Sequence, residues 1–350
     1  MKKYILPTLF LGLFASVLLG VCAALRADNV VFVNEEDGKN QSILGTVKET
    51  ARDGVVIGDK KKAGQKIGAN LIVSVSYEDE PETLTVARKA LDSSQFKDAL
   101  AQLESIKNEE KLPEPIRQEI AFFKVFAKAQ LALSGQSEYD PLSVAKELNQ
   151  FTEVFPNSYH FYEAARLMIR LLAACDEVPR ARDVCQQLAD APWPETKYEG
   201  KVTLGNIDLA EGQTDAAEQL FDEVIAAEES SAAIEKQKSY AKIGKALITA
   251  KGGDYDAAKK LFAQIQDESD SADAQLQATL YNAMGDAARG AGNNKEAILA
   301  FLHTDLLFSS ARAEHIKALR NLVELWKSEL REDRAQEAAS VLRGQYGLNP

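Results

Sequence analysis

From residue 82 onward, apolar residues recur with a helical period, and short polar breaks divide them into paired segments. The clearest copy spans residues 204–224, LGNIDLAEGQTDAAEQLFDEV. In it Gly212 ends one helix, Ala217 follows five residues later, and Phe221 four residues after that. Residues four apart share a helix face, so the small alanine lets two helices approach and the phenylalanine fills the space beside it. The pattern predicts a hairpin of two helices.

The same spacing returns along the chain at Gly253, Ala258 and Phe262, and at Gly292, Ala297 and Phe301. Two looser copies have a similar spacing. One is Asp333, Ala338 and Leu342, and the other is Ser94, Phe96, Ala99 and Leu103. One small residue marks each second helix: Ala99, Ala145, Ala181, Ala217, Ala258, Ala297 and Ala338. These marks predict about seven helical hairpins over residues 82–347.

Residues 28–80 follow a different pattern, of short β-rich runs separated by turn residues. Asn29–Val33 and Leu71–Tyr77 are rich in Val and Ile, and Asp37-Gly38 and Asp53-Gly54 are hairpin-turn pairs. Even spacing of such runs indicates a small antiparallel barrel or meander, and their order is similar to a small SH3-like barrel. Pro81 then separates this module from the helices, because proline suits the first turn of a helix.

The helical part resembles the tetratricopeptide repeat, in which a small and a bulky residue in the first helix precede Gly-x-aromatic-x-x-Ala and Phe. The resemblance is carried by Gly205, by Gly285 with Tyr281, by Gly253-Asp254-Tyr255 and by Phe155–Ser158. It implies a superhelical scaffold that binds other proteins. The predicted fold class is therefore mainly α, an α-solenoid of helical hairpins preceded by a small antiparallel β-barrel.

The N-terminus is a candidate targeting segment. Lys2 and Lys3 precede an uncharged run from Tyr4 to Leu25, with small residues for cleavage after it, which is typical of a signal peptide over residues 1–27. The run is also long enough for an uncleaved membrane anchor. Both alternatives predict export, to the periplasm or to the membrane facing it.

The net charge of the chain limits the kinds of partner that it can bind. The chain has 41 basic and 53 acidic residues; without residues 1–27, which hold three basic and no acidic residues, the net charge changes from −12 to −15. Such a surface repels nucleic acid and anionic lipid. We therefore expect no nucleic-acid partner, and membrane contact only through the N-terminal segment if it is uncleaved.

No catalytic or metal-binding motif stands out in the sequence. His160, His303 and His315 lack the i, i+4 partner of a helical zinc site, and no Cys-x-x-Cys occurs. Cys175 and Cys185 could form a bridge in an oxidising compartment, but their helical offset of about 9 Å favours free thiols. We expect no enzyme activity, cofactor or metal.

Two functions from different classes remain. The first is a scaffold or adaptor that binds a peptide or partner protein in the concave groove of the array; the second is a structural envelope protein acting through self-assembly or wall attachment. In tetratricopeptide arrays the first helix of each hairpin lines the groove. The resemblance thus implies partner-binding positions at Asn206, Asn282, Asp286, Arg289, Arg320 and Lys327.

Overall fold

The computed structural model describes residues 27–34, 38–59, 64–135 and 138–349. Residues 1–26 of the candidate targeting segment lie outside this part of the chain. The described residues form five strands followed by helices. The strands are β1 (Asp28–Val33), β2 (Asn40–Ala51), β3 (Gly54–Gly58), β4 (Gln65–Gly68) and β5 (Ile72–Ser76).

The strands form one antiparallel sheet in the order β4-β3-β2-β1-β5. Val30 of β1 pairs with Ile43 of β2 on one side and with Val75 of β5 on the other. The alternating pattern of β1 places Val30 and Phe32 in a core shared with residues of β3, β4 and β5. Gly54 turns the β2–β3 hairpin with a φ of 150°, where an added Cβ would meet the Ile67 carbonyl oxygen at 2.1 Å.

The sheet is open, and in this it differs from the expected barrel. In the described residues β4 pairs only with β3, and β5 only with β1. The apolar face is covered instead by the helical part, since Tyr159 packs among Val30, Val55 and Val75. Strand signals in a sequence show that a face is apolar but do not show which element covers it.

Fourteen α-helices follow in the described part of the chain, in seven consecutive pairs. They are α1 (Glu82–Asp92), α2 (Phe96–Glu104), α3 (Glu114–Leu133), α4 (Pro141–Val154), α5 (Phe161–Ala174), α6 (Val178–Ala189), α7 (Pro194–Ala210), α8 (Thr214–Ile225), α9 (Ala232–Lys251), α10 (Tyr255–Glu268), α11 (Ala274–Gly290), α12 (Asn294–Leu307), α13 (Arg312–Ser328) and α14 (Glu332–Tyr346). A short 3₁₀ turn, Glu109–Lys111, precedes α3.

Left-handed residues set the turn inside each hairpin. Gly212, Gly253 and Gly292 have φ of 80°, 95° and 76°, as expected for glycines that end helices. Leu330 takes the same conformation with a φ of 56°. Because α14 begins at Glu332, its fourth residue is Ala335, which replaces the predicted Ala338 as the counterpart of Ala217 and Ala297.

Glycines in the first helices receive the phenylalanines of the second helices. An added Cβ on Gly205 would lie 2.6 Å from the Phe221 ring, and one on Gly285 would lie 2.6 Å from the Phe301 ring. Both rings are fully buried. The glycine and phenylalanine positions of the repeat are thus two halves of one contact.

The first helices form the inner layer of the array. Consecutive first helices are in contact for α3 with α5, α7 with α9, α9 with α11 and α11 with α13. No consecutive pair of second helices within the described ranges makes comparable contact. In a curved stack the inner elements lie closer together than the outer ones, so α3, α5, α7, α9, α11 and α13 line the concave side.

The array turns back on itself. The Arg312 guanidinium, at the start of α13, donates to the Ser134 carbonyl at the end of α3 (2.9 Å) and lies 4.4 Å from the centre of the Tyr346 ring. A Cβ on Gly135 would meet the Tyr346 carbonyl oxygen at 2.5 Å. The seventh hairpin therefore packs on the second, and the inner layer encloses a groove.

Cys175 and Cys185 are free thiols, and burial raises the pKa of Cys185 to about 12. Throughout the described ranges, no helix has the length and apolarity needed to cross a membrane.

Candidate partner-binding surface

Three of the predicted groove residues join α11 to α13. The Asn282 amide donates to the Glu314 carbonyl oxygen (2.9 Å) and to its Oε2 (2.7 Å). Asp286 pairs with Lys317 at 2.7 Å. These contacts are the first two rungs of a polar ladder between the two helices.

Arg289 makes the third rung. Its guanidinium donates to Asn321 Oδ1 and to Glu324 Oε2, each at 2.7 Å. Arg289 and Glu324 are exposed, with side chains 43% and 63% accessible. We define the inner ladder as Asn282, Asp286 and Arg289 of α11 with Glu314, Lys317, Asn321 and Glu324 of α13.

Asn282 is not available to a ligand in this structure. It is 0% exposed, and its amide nitrogen is fully used by Glu314. The repeat pattern places Asn282 on the first helix of its hairpin. Its side chain is directed toward the neighbouring helix α13, and this contact buries it. Its role is to fix α11 against α13.

The other three predicted residues are exposed on inner helices. Asn206 lies on α7, and Arg320 and Lys327 lie on α13. Arg320 is three residues from Lys317, and Lys327 three from Glu324, so both share the helix face of the inner ladder. Neither forms an ion pair with any described residue.

Arg170 of α5 belongs to the same surface, although the repeat pattern did not single it out. It follows Arg166 by one helical turn; Arg166 reaches across to α7, where it bonds Glu199 at 2.7 Å and Thr196 at 3.1 Å. Arg170 is exposed and has no acidic partner among the described residues. Burial nevertheless lowers its pKa.

Like Arg170, Lys317 has a solvent-accessible side chain whose pKa is nevertheless affected by burial. Its side chain is 48% accessible, yet burial acts to lower its pKa, and Asp286 together with Glu314 raises it above the usual value. Arg170 and Lys317 lie on α5 and α13, two helices of the inner layer.

The sheet is fixed to the array at a second charged region, the junction cluster, defined as Glu80, Arg88, Glu119, Tyr159 and His160. Arg88 grips Glu80 with two hydrogen bonds of 2.9 and 3.2 Å. Glu119, which is 0% exposed, accepts from the Tyr159 hydroxyl at 2.5 Å and lies 3.1 Å from His160 Nε2.

Burial and charge set the protonation of this cluster. Burial alone would lower the pKa of His160, but Glu119, with a smaller contribution from Glu163, raises it to about 9, so the imidazole is protonated at neutral pH. The ring stacks on Phe122 at 3.9 Å, a favourable position for a cation. Burial raises the pKa of Tyr159 well above its usual value. The cluster is therefore one imidazolium and one guanidinium against two carboxylates.

Further contacts dock the sheet on the array from two of its turns. Arg52 donates to the Pro156 carbonyl (3.1 Å) and covers the Phe161 ring at 3.6 Å. Asn70 donates to Glu195 of α7 at 2.6 Å. The sheet thus lies against the starts of α5 and α7.

Within the described ranges, no group of three or more His, Cys, Asp or Glu side chains is placed to hold a metal ion. His303 stacks on Tyr281, and His315 bonds Tyr346 and Asp305, so each has a structural contact.

The architecture is similar to that of solved helical-repeat proteins. A tetratricopeptide repeat protein from Parabacteroides merdae ATCC 43184 matches with a TM-score of 0.53 at 14% identity, over 75% of this chain and 92% of that one. No protein-family model and no curated protein matches the chain.

The fold is thus a tetratricopeptide-like α-solenoid with an open five-stranded antiparallel sheet at its N-terminal end. Stacks of helical hairpins of this kind present an extended concave surface.

Proposed function

We propose that the protein is a non-catalytic scaffold whose inner groove binds an acidic segment of a partner protein. The observation that carries the proposal is a set of three inner-layer cations, Arg170, Arg320 and Lys327, with no acidic partner among the described residues. They stand out because the chain as a whole has a net charge of −12. Carboxylates are the groups that such cations bind best.

The shape of the groove supports an extended or C-terminal segment as the ligand. Contact between the second and seventh hairpins encloses the inner layer, so a partner enters along the groove rather than across it. Arg289 of the inner ladder can also contribute to binding, since a ligand carboxylate can compete with Glu324 for its guanidinium. Exposed pairs of this kind contribute little to stability, which makes exchange easy.

A short fluorescein-labelled Glu-rich peptide with a free C-terminus tests the proposal. We expect saturable binding to the full chain, measured by fluorescence polarisation. Binding should weaken at least tenfold, about 1.4 kcal/mol, in a variant with Arg170→Gln, Arg320→Gln and Lys327→Gln. The melting temperature should not fall, because none of the three holds another described residue.

Two controls show whether binding depends on the carboxylates of the peptide and on these three positions of the protein. The same peptide with Gln for Glu should bind at least tenfold more weakly. Lys260→Gln, an exposed lysine on the outer helix α10, should leave binding unchanged. Full affinity in the triple variant, or equal affinity for the Gln peptide, would move the binding surface elsewhere.

We also propose that this scaffold acts outside the cytoplasm, on the basis of the targeting pattern in residues 1–27. Fractionation of cells expressing the full chain and a chain lacking these residues tests this. Export should be lost with the segment, and a cleaved N-terminus should be found by mass spectrometry if the segment is a signal peptide.

A second candidate function, self-assembly, has its own support. On the outer helix α12, Leu299, Leu306 and Leu307 are 59%, 73% and 65% exposed. Apolar patches on an otherwise charged surface are typical of protein contacts. Light scattering at micromolar concentration separates the candidates: a monomer argues against self-assembly, whereas an oligomer dispersed by Leu306→Glu would favour it.

A further inference from the structure

A cavity of about 380 Å³ lies where the sheet meets the first turns of α5 and α7. It is separate from the partnerless cations of the groove, because it opens between Asn70 of the sheet and the helix starts at His160 and Trp193. Helix α7 packs closely on α9, and α9 packs closely on α11. The neighbours α5 and α7 are joined instead by the Arg166–Glu199 pair. The gap between these two helices is where the cavity forms.

The charge of the cavity is set by which of its groups are already neutralised. Two cations line it, His160 and Arg166. Each is paired with a carboxylate outside the lining: His160 with Glu119 at 3.1 Å, and Arg166 with Glu199 at 2.7 Å. These pairs cancel.

The two carboxylates that line the cavity are not cancelled in this way. Glu195 accepts only from the neutral Asn70 amide, and no described cation pairs with it. The nearest cation to Glu163 is His160, at 3.7 Å from Nδ1, and that imidazolium is shared with Glu119. The cavity therefore carries excess negative charge.

Asn70 supplies an unused acceptor at the same place. Its Nδ2 is engaged by Glu195, whereas its Oδ1 is buried and has no hydrogen-bond donor among the described residues. A buried amide oxygen without a donor is unfavourable for the folded state. A ligand that donates hydrogen bonds would satisfy this acceptor.

Aromatic rings complete the lining. Tyr162 and Trp193 pack edge to face, with ring centres 5.2 Å apart and an interplanar angle of 76°. Rings of this kind attract cations to their faces, and tryptophan does so most strongly. A hydrophobic contact at Ile72 borders the same cavity.

We propose that this cavity binds the guanidinium of an arginine side chain presented by a partner protein. Glu163 and Glu195 supply the negative charge, Asn70 Oδ1 supplies a neutral acceptor, and Trp193 supplies a ring face for stacking. A guanidinium is planar and carries five N–H donors, so it can use two carboxylates, an amide oxygen and a ring together. A compact ammonium group could not match all four.

The test uses an acetylated, amidated Gly-Arg-Gly peptide and the full chain. The chain has two tryptophans, so its ¹H–¹⁵N spectrum has two indole N–H signals, which Trp326→Phe assigns. We expect the Trp193 signal to move saturably with the arginine peptide. The Trp326 signal should stay in place.

Matched controls decide the outcome. The same peptide with citrulline, which is a neutral isostere of arginine, should bind at least tenfold more weakly. Glu163→Gln and Glu195→Gln should each weaken arginine binding at least fivefold, and Glu195→Gln can keep its bond to Asn70. Glu104→Gln, an exposed carboxylate on α2, should have no effect.

Three results would overturn the proposal: no saturable shift of Trp193, equal binding of the citrulline peptide, or unchanged binding in both Glu variants. Because the inner cations Arg170, Arg320 and Lys327 play no part in this site, their triple variant should bind the arginine peptide normally. The two binding proposals therefore stand or fall independently.

Discussion

The junction cluster and the inner ladder are both networks of charged side chains, but they differ in their exposure to water. Glu119 and His160 of the junction cluster are 0% and 5% exposed. Arg289 and Glu324 of the inner ladder are 43% and 63% accessible. The first network joins the first three hairpins and holds Tyr159, which packs in the core of the sheet, whereas the second joins two neighbouring first helices.

This difference decides what each network can do. A buried charge must keep its partner, because removing the partner leaves an ion without solvation. An exposed charge can exchange its partner for water or for a ligand at little cost. The junction cluster is therefore suited to fixing the sheet in place, and the inner ladder to yielding to a bound segment.

The largest expected effect is at the junction. Glu119→Gln keeps the size of the side chain but leaves His160 and Arg88 with too little negative charge around them. We expect the free energy of unfolding to fall by about 3 kcal/mol or more, measured by urea denaturation. Glu324→Gln in the inner ladder should cost less than about 1 kcal/mol.

A coupling test shows whether the loss arises from the ion pair. In a His160→Gln background, Glu119→Gln should cost much less than it does alone, because no imidazolium is then left unpaired. Equal costs in both backgrounds would contradict the ion-pair explanation and would point to packing or to the Tyr159 hydrogen bond instead.

The next prediction concerns pH. The pKa of His160 in the folded state is about 9 and the usual pKa of histidine is 6.5, so protonation favours the folded state. This stabilisation, about 3 kcal/mol, is fully present below pH 6.5 and is lost as the pH rises through 9. Urea midpoints at pH 6, 7.5 and 9 should fall in that order.

The neighbouring tyrosines and Arg88 do not titrate in this window in the folded state. Burial raises the pKa of Tyr159 and Tyr77, and Arg88 stays charged. Glu119, Glu80 and Glu163 are the carboxylates that face the cluster. His160→Gln should flatten the pH profile between 6.5 and 9, and a profile that keeps its slope would assign it to other groups.

Much of the array was predictable because its contacts are local in sequence. Gly205 and Phe221 lie in the same hairpin, and their spacing shows both the turn and the packing. The register of the last hairpin was harder: α14 offers Ala335, Ala338 and Ala339, and only the helix start at Glu332 shows which of them is equivalent to Ala217.

The surfaces were less predictable because they depend on distant residues. The burial of Asn282 requires Glu314 of the next hairpin. Arg170 is a candidate binding residue because no acidic side chain among the described residues pairs with it, and only the structure shows this. The junction cluster unites Arg88, Glu119 and His160 from three hairpins, and the contact between Arg312 and Ser134 spans 178 residues. No local pattern encodes such pairs.

Helix α11 offers a sharper comparison, within the packing beneath the inner ladder. Gly285→Ala would bring a Cβ to 2.6–2.8 Å from three atoms of the Phe301 ring, so we expect a loss of about 1–3 kcal/mol. Gly290→Ala, in the same helix, meets no atom within 4 Å and should be neutral or stabilising by up to about 1 kcal/mol. Thermal unfolding of both variants measures the contrast, and changes of the same sign would contradict it.

The smallest expected effect is the most informative about binding. Arg289→Gln removes the third rung of the inner ladder, and because both partners are exposed, the unfolding free energy should change by less than about 1 kcal/mol. Salt at 1 M shortens the screening length to about 3 Å, so the wild type should lose that small contribution while the variant changes less. If Arg289→Gln instead costs 2 kcal/mol or more, the inner ladder is as indispensable as the junction cluster. A ligand carboxylate could then displace Glu324 only by unfolding part of the array, and binding in the groove would rest on Arg170, Arg320 and Lys327 alone.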